Sequence, residues 1–148
     1  MRFPVLLCKR DTLVVVRRDF FERIGRLDED SGLLELNVAR DGRAGSRWIL
    51  DREGALYGLI SKGFAPASWW QTLGLRRRRE HFRIEPAVAI TATQLAHLIS
   101  GLQDISADLP NVSDLQRVLA GLPSGQVLTA ESLSGYFGEV GREVAGHR

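Results

Sequence analysis

The clearest pattern of apolar and polar positions lies in residues 46–63, SRWILDREGALYGLISKG, where two apolar runs flank Asp51-Arg52-Glu53-Gly54. A polar tetrad ending in glycine predicts a tight hairpin, because Gly54 can take the left-handed conformation that closes a type I turn plus bulge. With Leu50 facing Ala55, that register sets Trp48 opposite Tyr57. Trp48, Leu50, Ala55, Tyr57 and Leu59 then share one face of the pair, and Ile49, Leu56 and Ile60 share the other. A pair that is apolar on both sides belongs in the middle of a sheet, with helices on one face and a further element or a partner on the other.

The rest of the chain is expected to assemble on this pair. Residues 3–9 and 12–17 are apolar, β-branched runs separated by Arg10-Asp11, which predicts an opening hairpin. Asp19-Phe20-Phe21-Glu22 has the spacing of a capping box, with Asp19 as N-cap of a one-turn helix and Gly25 just past its end; a continued strand is the competing reading. Residues 27–32 read as an acidic loop. Residues 33–39 alternate, with Leu34, Leu36 and Val38 on one face. A five-residue loop after them keeps the apolar face continuous by pairing Val38 with Trp48 and Leu36 with Leu50. The expected core is therefore a meander of residues 33–39, 47–50 and 55–62. Pro66 suits the start of a short helix over residues 67–73. Residues 81–90 alternate as a strand, which Pro86 must place at an edge or break.

After residue 92 the apolar period changes from two to about 3.6. Thr93 is placed to cap a helix carrying Leu95, Leu98, Ile99 and Leu102. Ser113 and Gln116 form a capping box for a second helix, with Leu115, Val118, Leu119 and Leu122 on one stripe. Thr129 could cap a third, although Gly135, Gly138 and Gly141 each cost about 1 kcal/mol relative to alanine inside a helix. The predicted fold class is α+β: an antiparallel β-meander sheet covered on one face by the C-terminal helices. The chain reads as one domain over residues 1–148, with 1–92 mainly sheet and 93–148 mainly helical.

Composition agrees with a globular domain, since 148 residues with 44% hydrophobic content can bury one sizeable core. The opening MRFPVLLCKR holds an apolar stretch too short for a signal peptide, and no apolar run is long enough to cross a bilayer, so cytoplasmic residence is expected. Cys8 is the single cysteine, and its apolar strand marks it as a small buried hydrophobe. The net charge of +2 hides an asymmetry: residues 1–85 carry 17 basic and 12 acidic side chains, residues 86–148 carry 3 and 6. Eighteen of the twenty basic residues are arginine, the side chain suited to bidentate recognition of carboxylate and phosphate.

No Cys/His cluster has zinc spacing, no glycine-rich loop joins a strand to a helix, and no Gly-x-Ser-x-Gly elbow occurs. No catalytic residue, metal site or cofactor is therefore assigned. The conspicuous polar feature is Arg76, Arg77, Arg78 and Arg79, which follow the tandem Trp69-Trp70. Such a run either grips phosphates while a tryptophan stacks on a base, or steers an acidic protein, or is a solvated loop. Adjacent residues on a short helix point about 100° apart and rarely enter one core, so Trp69 and Trp70 either both pack at the edges of the sheet or leave one for an interface. Tryptophan and arginine are also enriched in binding hot spots.

No motif selects a specific family. The general form, a small antiparallel sheet with helices behind it, is similar to that of many bacterial immunity proteins, adaptors and secretion chaperones. The expected function is non-enzymatic binding of a protein partner with an acidic surface, as by a toxin-neutralising immunity protein or an adaptor. Trp69, Trp70 and Arg76–Arg79 are the expected contact residues. A nucleic-acid-binding module using the same arginines is the alternative, and an enzyme whose site is assembled from scattered residues is the second.

Overall fold

The computed structural model of the chain describes residues 1–9, 12–37, 46–64, 79–104 and 112–146. It is an α+β fold built on an antiparallel, curled sheet. The strands are β1 (Val5–Lys9), β2 (Thr12–Val16), β3 (Gly25–Asp28), β4 (Leu33–Asn37), β5 (Ser46–Asp51), β6 (Ala55–Phe64), β7 (Arg79–Ile84), β8 (Val88–Ala89) and β9 (Gln103–Asp104). Helix α1 (Arg18–Ile24) lies between β2 and β3; α2 (Ala92–Ile99), α3 (Val112–Ala120) and α4 (Ala130–Gly146) occupy the C-terminal third.

The strands follow the order β3-β4-β7-β6-β5-β1-β2-β9, with β8 also paired to β6. The expected opening hairpin forms, from Val5↔Val16 to Lys9↔Thr12. The expected meander does not. β4 pairs with β3 and β7, and β5 pairs with β1 and β6, so Leu36 faces Gly25 and Glu80 rather than Leu50. Local alternation gave β4 its face but carried no information on which strand lies beside it. Residues 25–28, expected to hold the end of the short helix and the start of the acidic loop over residues 27–32, form β3, which becomes the hairpin partner of β4. Gly25 is extended there, and a Cβ would collide with the carbonyl oxygen of Glu35.

The β5–β6 hairpin forms with its register shifted by one residue from expectation: Trp48↔Gly58, Ile49↔Tyr57 and Leu50↔Leu56. The cause is Asp51, which is 2% exposed and acts as the mouth of the turn. Its carboxylate accepts the N–H groups of Glu53 at 2.9 Å, Ala55 at 3.0 Å and Arg2 at 3.2 Å, while its carbonyl accepts that of Gly54 at 3.1 Å. Gly54 does close the turn in the left-handed region, at φ 86°. One residue of slip exchanges faces along the partner strand. Trp48 and Leu50 therefore pack with Leu56, and Ile49 packs with Tyr57 and Leu59.

Those two faces feed two cores. In the first, Leu6, Cys8, Leu13, Trp48 and Leu50 meet Leu95 and Ile99 of α2, Leu115 and Leu119 of α3, and Leu133 and Tyr136 of α4. In the second, Val5, Leu7, Val16 and Ile49 meet Leu34, Leu36 and Phe82. β4 and β7 are not neighbours of β1, so the sheet must curl to bring these side chains together. The covering of the second face, left open between a further element and a partner, is thus supplied by the sheet itself and by Phe21 of α1.

Helix α1 follows from the same curl. β2 and β3 lie near opposite ends of the strand order, yet α1 joins them across seven residues, a reach of about 10 Å along a helix. Its N-cap is Arg17, without a side-chain cap bond, and Asp19 sits in the first turn rather than at the cap. β6 forms the corner of the sheet: residues 56–58 pair with β5 and residues 59–64 with β7. Pro86 interrupts β7 and β8 as expected, and the Glu85 N–H bridges the gap to the Gly58 carbonyl at 2.9 Å.

In the helical third the capping residue of α2 is Thr91 rather than Thr93, in a reciprocal box with Gln94. Leu95 and Ile99 are buried, whereas Leu98 is 39% exposed. Thr129 stands at the start of α4 as expected and bonds reciprocally with Ser132. The Leu128 N–H donates to the Ile90 carbonyl at 2.8 Å, and the Ala92 N–H donates to that of Gln126 at 3.0 Å. These bonds clip the segment before α4 to the segment before α2. No helix among the described residues is long and apolar enough to cross a membrane. The short helix expected over residues 67–73 lies outside the described residues.

Candidate functional site

Of the residues expected at a partner site, Arg79 is described, while Trp69, Trp70, Arg76, Arg77 and Arg78 lie outside the described residues. Arg79 opens β7 and is exposed. Its guanidinium stands 3.5 Å from Glu35 on β4, and the other oxygen of that carboxylate lies 3.5 Å from His81 Nδ1. Both contacts follow from register: Arg79 and His81 are two residues apart on one face of β7, and Glu35 is directly opposite His81. On the other side of β4, Glu35 faces Arg26 of β3. The outer face of these three strands is therefore charged, while Leu27, Leu34 and Phe82 turn inward.

Arg79 also borders a cleft of about 470 Å³ that runs between α1, β3 and the segment before β1. Arg18 and Arg26 join Arg79 at its rim. Phe3 and Phe21 form its aromatic floor, with ring centroids 5.4 Å apart and planes at 69°. Helical spacing explains the α1 wall, since positions 18, 21 and 22 share a face. Arg18 lies over the Phe3 ring at 5.7 Å and pairs with Glu22 at 3.8 Å. Both members of that pair are mostly exposed, so it contributes little to stability and leaves the guanidinium available.

The cleft is not uniformly basic. Glu22 lies on its α1 wall, and Glu29 lies where it meets a second hollow of about 330 Å³ lined by Gly32, Tyr57 and Glu85. In that second hollow burial, reinforced by the Asp51 charge, raises the Tyr57 hydroxyl above its ordinary value of 10.0. In the β3–β4 turn the hydrogen bonds from Ser31 hold the exposed Asp28 carboxyl below its ordinary value of 3.8. Among the described residues no group of three or more His, Cys, Asp or Glu side chains is placed to hold a metal ion.

Arg18, Arg26 and Phe3 have no signature in the local sequence. They meet Arg79 because the curl brings α1 and β3 beside the start of β7, which a reading by segments does not reveal. The i, i+4 spacings of Arg18 with Glu22 and of Asp19 with Arg23 are the local signs of an ordered charged surface on α1. Compared with known protein families, with curated proteins and with solved structures, the chain matches none.

Proposed function

We propose that this is a cytoplasmic, non-enzymatic protein-binding domain that recognises an acidic surface on its partner, in the manner of an immunity protein or adaptor. The observation that carries the reading is the position of Arg79: the last member of the four-arginine run borders a cleft that already has two arginines of other elements on its rim and aromatic rings in its floor. Arginine beside an accessible aromatic ring, here the half-buried Phe3, is a composition found in binding hot spots. In this reading Arg76, Arg77, Arg78 and Arg79 form an electropositive rim, and Trp69 or Trp70 provides an apolar anchor.

The nucleic-acid alternative uses the same arginines. It is disfavoured by the modest net charge of +2 and by the carboxylates of Glu22, Glu29 and Glu35 in and beside the cleft, which would oppose a phosphate backbone. Affinity capture with cross-linking from cells that express the protein tests the reading, with nucleic-acid binding measured alongside at about 150 mM salt. The expected result is a specific protein whose cross-links fall at acidic residues, and little nucleic-acid binding. Submicromolar nucleic-acid binding that is abolished when Arg76, Arg77, Arg78 and Arg79 are all replaced by glutamine would favour the alternative.

A further inference from the structure

We infer that the cleft between α1, β3 and β7 is a docking groove for an acidic protein segment, with Arg18, Arg26 and Arg79 receiving its carboxylates and the half-buried Phe3, backed by Phe21, receiving an adjacent apolar side chain. This inference rests on the protein-binding reading and adds to it the residues and the chemistry of the occupant. The three guanidiniums come from α1, β3 and β7, separate parts of the chain, yet border one cavity of about 470 Å³. That volume accommodates a few side chains of a bound segment.

Two of the three arginines are held by contacts that leave them accessible. Arg18 is held over the Phe3 ring at 5.7 Å. Arg79 is held by Glu35 at 3.5 Å while remaining 52% exposed. Arg26 is exposed on the edge strand β3, where its charge also acts on the exposed Asp28 carboxylate. Exposed ion pairs exchange at little cost, so an incoming carboxylate can replace Glu22 at Arg18 and share Arg79 with Glu35. An arginine fork then offers two parallel hydrogen bonds to each carboxylate.

The occupant is a protein segment rather than a nucleic acid because the cleft alternates in sign. A nucleic-acid backbone presents closely and regularly spaced phosphates, some of which would meet Glu22 and Glu29. A peptide can space its carboxylates to meet the arginines and turn other side chains toward those glutamates. The floor has an apolar role of its own: Phe21 is anchored in the sheet core, and its edge-to-face contact with Phe3 fixes the ring against which a side chain can pack.

The test is an NMR titration of the whole protein with N-acetyl-Glu-Asp-Phe-Glu-Glu-amide, with its glutamine and asparagine counterpart, with inorganic phosphate and with oligodeoxythymidylate. The expected result is that the acidic peptide shifts the amides of Gly25, Arg26, Leu27 and Arg79, that the neutral peptide does not, and that the exposed double variant Arg18→Gln, Arg26→Gln weakens binding at least about tenfold. Equal binding of the neutral peptide, or an acidic-peptide footprint elsewhere, would overturn the groove while leaving the protein-binding reading to the capture experiment. Displacement of the peptide by phosphate or oligodeoxythymidylate at equal concentration would overturn the choice of occupant. Absence of any shift with the acidic peptide would overturn the groove as a carboxylate site. Retained amide dispersion in the double variant separates lost binding from lost folding.

Discussion

At the scale of single residues, the β5–β6 hairpin turns on the contrast between Asp51 and Gly54. Asp51 is buried with its carboxylate satisfied by three N–H groups, and Gly54 sits at φ 86° with the Leu128 carbonyl where a Cβ would lie. Gly63 has a similar φ of 96°, but the space around it is open. Gly63→Ala should therefore cost only the left-handed backbone penalty of about 1–2 kcal/mol, and Gly54→Ala distinctly more. Urea midpoints compare the two, and equal costs would contradict the packing of the turn on residue 128. Trp48→Ala, which empties a buried site between the sheet and the helices, should cost about 3–5 kcal/mol, and a loss below about 1 kcal/mol would contradict its place in the core.

Tyr57 gives a pH signature on the same scale. Its hydroxyl titrates above 10.0 in the folded chain because burial and then the Asp51 charge disfavour the phenolate. The unfolded chain ionises first as pH rises, so the contribution is fully present below the unfolded value and is lost as pH rises through the folded one. Stability should therefore decline above about pH 10, and Tyr57→Phe should remove that part of the decline. Identical alkaline profiles for the two proteins, measured by denaturant midpoint, would contradict the environment assigned to Tyr57.

At the scale of elements, α1 is the piece that holds the curl together, since it links two strands near opposite ends of the sheet and inserts Phe21 among residues of β1, β4, β5 and β7. Phe21→Ala should cost about 3–5 kcal/mol. It should also speed hydrogen exchange in β2 and β3 more than in β5 and β6. Acceleration confined to α1 would show that the helix lies on the sheet without joining it. The elements themselves were legible in the sequence where period and turn chemistry agree: the opening hairpin, the Asp51–Gly54 turn, the break at Pro86, and the change to helical period after residue 92. Strand order was not, because alternation in residues 33–37 fixes a face and says nothing of the neighbour. Register failed by one residue because a buried side chain, Asp51, drew a strand position into the turn. β3 was missed because Gly25-Arg26-Leu27-Asp28 has no strand propensity of its own and is held by pairing with β4.

At the scale of the whole molecule, the curl converts an uneven distribution of charge along the chain into a local surface. Arg79 was legible in the sequence as part of a run. Arg18, Arg26 and Phe3 were not, because 52 residues lie between Arg26 and Arg79 and nothing local joins them. A basic rim around an apolar floor makes a kinetic claim: the rim accelerates encounter with an acidic partner, and the apolar anchor slows its departure. The most direct measurement is the association and dissociation rate of the captured partner across a range of salt, for the wild type, for Trp69→Ala, for Trp70→Ala and for the variant with all of Arg76, Arg77, Arg78 and Arg79 replaced by glutamine. The account predicts that the arginine variant associates more slowly with a flatter salt dependence, and that one tryptophan variant dissociates faster at a cost of about 2 kcal/mol or more. Unchanged rates in all three would contradict it.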